Sequence, residues 1–139
     1  MSTEDEGSLT LLAKTIQTQN QRFQKELTDA MLEAGFNPAA ALARLNQCGD
    51  QIQQLEKNEL GFLQRMGDWG AQQLSQAQGS WRETRLQIQA GKAQVLVLLG
   101  RYGEAQQAIN AARPLVTDPN HPAGAVLDEL EITIFQAKG

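Results

Sequence analysis

The chain has 139 residues, 41% of them hydrophobic and 5% aromatic, and a formal charge of −4. That length suffices for one domain with its own core, while the acidic balance and the scarcity of rings speak against a nucleic-acid-binding surface, which needs a basic face or stacking platforms. No apolar run approaches the roughly 18–20 residues of a membrane span, and a lone cysteine, Cys48, leaves no internal disulfide, so a cytoplasmic protein without membrane contact is expected.

Residues Met1 to Gly7 are acidic, lack the build of a signal peptide, and are expected as a disordered tail. From Ser8 to Ala34, Leu9, Leu12, Ile16, Phe23, Leu27 and Met31 recur at three- and four-residue steps and predict one helix, with Ser8 as its cap and Gly35 as its stop. Asn37-Pro38 opens a second helix, with Asn as cap and Pro at the first helical position. Cys48-Gly49-Asp50 is expected to end that helix and start a third, whose stripe is Ile52, Leu55, Phe62, Leu63 and Met66. Gly67 ends the third, and a short fourth helix runs from Gly70 to Gln78. Ser80 and Glu83 have the spacing of a capping box and predict the start of a fifth helix reaching Leu99. A sixth spans Gly103 to about Arg113. After the breakers Asp118-Pro119-Asn120-His121-Pro122, a last helix carries Leu127, Leu130, Ile134 and Phe135. No strand is expected, and the fold class is all-α.

Three segments align. Gly35-Phe36-Asn37-Pro38, Gly67-Asp68-Trp69-Gly70 and Gly100-Arg101-Tyr102-Gly103 each read as a helix stop, an aromatic and a second breaker before an Ala-rich helix. Their first glycines stand 32 and 33 residues apart. A period of about 34 residues with two helices per period resembles the tetratricopeptide repeat. The third copy resembles it most, through Ala93, Leu96, Gly100, Tyr102, Glu104-Ala105, Ile109, Ala112 and Pro119, although Gln89 and Lys92 stand where the family favours Trp and Leu. The resemblance implies stacked antiparallel helix pairs, about three repeats at 8–48, 50–78 and 80–115, with a C-terminal capping helix at 121–138.

Chemistry is sparse. His121 is the only histidine and lies among breakers, so a His/Cys metal site is not available with Cys48 alone as its partner. Cys48 sits in an Ala-rich helix, where a small buried residue is the ordinary reading. Carboxylates fall in mixed-charge surroundings such as Lys25-Glu26 and Glu56-Lys57, and no phosphate-binding loop is present. No catalytic residue, metal ligand or cofactor is assigned, and the expectation is a protein that is not an enzyme.

The tetratricopeptide resemblance further implies a groove, lined by the first helix of each pair, that receives another protein or peptide. Its positions map to Arg22, Lys25 and Asp29, then Gln54, Lys57 and Gln64, then Gln87, Ala90, Gln94 and Val97. Arg22, Lys25 and Lys57 form a positive group suited to an acidic residue or a terminal carboxylate. The asparagine-and-lysine set of the family's carboxylate-clamping members is absent. In size and acidity the chain also resembles the small chaperones of bacterial type III secretion systems. The alternative is a homodimer or larger assembly through the long first helix, where Leu9, Ile16, Phe23 and Ala30 follow a seven-residue spacing.

Overall fold

A computed structural model describes residues 3–138, all of its regular structure helical. Helix α1 spans Thr3–Glu33, α2 Pro38–Arg65, α3 Gly67–Leu98, α4 Tyr102–Ala112 and α5 Pro122–Lys138, with a single 3-10 turn at Arg113–Leu115. The all-α class holds, with antiparallel neighbours stacked in chain order and a C-terminal helix closing the stack. Helix α1 begins at Thr3, inside the segment expected as a tail, while Met1 and Ser2 lie outside the described residues. No described helix is long and apolar enough to cross a membrane.

The three aligned segments are the three tightest joints of the molecule. At the first, Asn37 accepts the Ala40 N–H through its side chain at 3.2 Å and Pro38 takes the first turn, where an N–H would have no partner. At the second, only Met66 separates α2 from α3, and Gly67 adopts φ +64°, a conformation that disfavours any side chain. At the third, Gly100 N–H bonds Val97 O at 3.0 Å and Arg101 N–H bonds Leu96 O at 2.8 Å, the paired closure of a Schellman motif.

The two other expected breaks are absent. Helix α2 runs unbroken through Cys48-Gly49-Asp50, and α3 through Gly79-Ser80. The capping box does not form: the Ser80 carbonyl accepts the Thr84 hydroxyl at 3.0 Å, and Glu83 bonds His121 instead. Core burial explains the continuity. Leu45, Cys48 and Ile52 make one buried stripe across Gly49, and Ala77, Trp81, Thr84 and Ile88 make another across Gly79. Ending either helix would split its stripe, whereas an interior glycine costs only about 1 kcal/mol relative to alanine. Between residues 38 and 98, each 32- or 33-residue period therefore holds one long helix where the repeat reading places two.

Continuity has a direct check. A Cβ at Gly49 or Gly79 would meet nothing within 4 Å. Gly49→Ala and Gly79→Ala are each expected to stabilise the protein by about 0.5–1 kcal/mol and raise the melting temperature by a few degrees. A drop in melting temperature for either would mean that the glycine ends its helix.

Helix directions follow from side-chain pairs. Glu33–Arg44 and Asn20–Glu59 run α1 against α2, and Glu56–Arg85 and Glu59–Trp81 run α2 against α3. The core is one cluster that includes Phe23 and Leu27 of α1, Leu45 of α2, Leu86 and Val95 of α3, Ile109 of α4 and Leu127 of α5. Trp81 is buried in the core, its ring 6.3 Å from that of Phe23 at 52°. Helix α5 is tied to α3 through His121, whose Nε2 lies 2.9 Å from both Glu83 oxygens while Nδ1 accepts the Ala123 N–H at 3.0 Å.

Candidate interaction surface

The α1–α2 hairpin has clefts on two sides. On the first, Arg22, Lys25 and Asp29 of α1 face Arg44 and Gln47 of α2 across a cleft of about 440 Å³. It continues along the hairpin into a depression of about 320 Å³, where Arg22 and Gln54 stand among Gln19, Gln51 and Asn58. Arg22, Lys25 and Arg44 supply three positive charges here, and Glu26 and Asp29 offset two of them. Arg44 is further engaged by Glu33 at 3.7 Å.

Of the ten residues expected to line a groove, the structure brings together Arg22, Lys25, Asp29 and Gln54. Lys57 and Gln64 are exposed on α2 and line none of the described clefts. Gln87 and Gln94 are exposed on α3, and Ala90 and Val97 are half-buried against the core. The spread follows from the helix count. With one helix per period, equivalent positions in successive copies fall on helices that run in opposite directions and present different faces.

The second side is apolar. Ala13 and Ile16 of α1, Phe62 and Leu63 of α2 and Trp69 of α3 surround an open cleft of about 530 Å³, rimmed by Gln17, Gln21 and Gln24. Trp69 sits at the start of α3 with 53% of its surface exposed. Its counterpart in the third copy, Tyr102, is half-buried against the core, so the shared repeat position serves two ends. In the sequence Phe62 and Leu63 belong to a helical stripe and Trp69 to the joint that follows it, and neither pattern points to the other.

Within this cleft Glu59 Oε2 accepts two hydrogen bonds, from Asn20 Nδ2 at 2.9 Å and from Trp81 Nε1 at 3.1 Å. Asn20 Oδ1 is buried with no donor among the described residues, an arrangement that costs about 1–3 kcal/mol. A signal for Glu59 was present in the sequence. Leu55, Glu59, Phe62, Leu63 and Met66 share one helical face, and a carboxylate in the middle of an apolar stripe calls for a reason.

Elsewhere, Cys48 is buried in the core, and burial first, then the charge of Glu26, pushes its thiol pKa up. A thiol held protonated is a poor nucleophile. Among the described residues, no group of three His, Cys, Asp or Glu side chains is placed to hold a metal. Compared with family models, with curated proteins and with solved structures, the chain matches none.

Proposed function

We propose that this chain is a non-catalytic protein-binding module, an adaptor or chaperone of the cytoplasm that holds an amphipathic segment of another polypeptide in the apolar cleft. The observation that carries the reading is that cleft itself: Ile16, Phe62, Leu63 and the half-exposed Trp69 converge on one open concavity. Apolar concavities with a few placed polar groups are where proteins take ligands, and exposed tryptophan is enriched among residues that anchor partners. The tetratricopeptide kinship belongs to this proposal too, supported by the helix–turn–helix of α3, Gly100 and α4 with Ala105 and Ile109 buried in it. A role like that of the type III secretion chaperones stands within it as the narrower form.

The alternative, self-association through α1, has less surface to use. Phe23 and Ala30 of the seven-residue stripe are 2% and 0% exposed, already covered by the chain's own helices, and Ile16, at 6%, lines the apolar cleft. Leu11 nearer the start of α1, and Met31 and Leu32 near its end, are exposed and are what favour it.

A displayed library of amphipathic helical peptides, selected on the full chain, tests the proposal. Selected peptides are expected to lose about ten-fold or more in affinity on Trp69→Ser, a change at a half-exposed site that leaves the melting temperature within a few degrees. They are expected to bind unchanged when Arg22 and Lys25 are both replaced by Glu. Loss with the double variant and not with Trp69→Ser would move the site to the polar cleft. Failure to select any peptide would remove the proposal.

A further inference from the structure

We infer that the segment seated in the apolar cleft is a helix carrying a lysine or arginine among its apolar residues, with that cation placed against Glu59 Oε1. The inference rests on the protein-binding reading above and names the chemistry of its partner. Glu59 is the one charged side chain in the lining of the cleft. Its Oε2 is committed to Asn20 and Trp81, which fixes the carboxylate in place, while among the described residues Oε1 has no partner and no Lys or Arg pairs with the group. The carboxylate is half-buried beside Phe62 and Leu63.

A partner that covers this cleft strips water from Glu59. A neutral or acidic segment would leave a desolvated charge without a counterpart, which disfavours binding, whereas an ammonium or guanidinium replaces the lost water with a charge-assisted bond. The glutamine rim offers no competing carboxylate, so the cation has one destination.

The cleft also selects the partner's backbone form. Its lining on α1 runs from Ala13 to Gln24, about three helical turns or roughly 16 Å at 1.5 Å per residue. No strand edge exists among the described residues to pair with an extended chain, so a segment that satisfies its own backbone hydrogen bonds fits best, which is helix-in-groove recognition.

The peptide library tests this separately from the reading beneath it, when selected on the parent chain and then measured against Glu59→Gln and Trp69→Ser. Glutamine keeps an oxygen for the Asn20 and Trp81 donors and removes the charge. Peptides selected by the parent are expected to carry Lys or Arg at a fixed spacing from their apolar residues. They should bind Glu59→Gln about ten-fold more weakly, and the gap should narrow as salt is raised. If Glu59→Gln melts well below the parent, the same comparison is made on the parent chain with the peptide cation replaced by norleucine, and the same ten-fold loss is expected. Selected peptides without a cation, or with one whose removal changes nothing, would overturn the inference while Trp69→Ser still abolished binding. Binding insensitive to Trp69→Ser, or no selected peptide, would overturn the protein-binding reading along with it.

Discussion

Gly70→Ala is expected to be among the most damaging single-methyl changes in this protein. A Cβ built on Gly70 would lie 1.7 Å from Leu63 O and 2.7 Å from Leu63 C, both backbone atoms that cannot swing aside as a flexible side chain would. That carbonyl already accepts the Met66 N–H at 3.1 Å, so moving Leu63 also breaks the closure of α2. Overpacking commonly costs about 1–3 kcal/mol, and an obstacle made of backbone places this case near the top of that range. For a chain of this size the melting temperature should fall by roughly 10 °C. Gly79→Ala, an alanine in open space on the same helix, is the internal control and should move the other way. Gly70→Ala melting together with Gly79→Ala would mean that α2 and α3 do not meet at residues 63 and 70.

The second large effect is expected at Ala105→Asp. Ala105 is 0% exposed and sits one turn into α4, on the face it shares with Ala108, Ile109 and Ala112. A carboxylate there enters the α3–α4 contact, and the nearest arginine in sequence, Arg101, is already held by Glu104 at 2.6 Å. Near a helix N-terminus an acidic side chain gains about 0.3–1 kcal/mol from the helix dipole. An uncompensated buried charge costs about 3–5 kcal/mol, so the penalty wins by several-fold. Far-ultraviolet circular dichroism should show lost helix, and limited proteolysis should cut beyond α3 first. A variant that melts like its parent would mean that Ala105 does not face α3.

The two predictions share a lesson about what the chain reveals before folding. Glycine marks three physically different places here, and the residue itself does not distinguish them. Gly67 and Gly100 hold positive φ at true helix ends. Gly70 permits a close approach. Gly49 and Gly79 are merely tolerated inside long helices. Local pattern correctly located every joint that carried a second breaker or an aromatic beside its glycine. It failed where a capping signal at Ser80 competed with a buried stripe running across it, because the stripe's worth depends on neighbours far along the chain. The candidate site was less legible for the same reason. Ile16, Phe62 and Trp69 belong to three different helices, and their convergence depends on the second joint being a single residue long. Arg22 and Lys25 lie one turn apart on one helix, and their proximity could be read directly.

That one-residue joint, and the short turns on either side of it, set how the chain can assemble. The principal packing partners are neighbours in chain order, α1 with α2, α2 with α3 and α3 with α4, and α5 reaches back to α3 as well as to α4. Loop closure between such neighbours is entropically cheap, and topologies dominated by local contacts fold fast. During synthesis each new helix finds its main partner already made, so the order of translation matches the order of assembly.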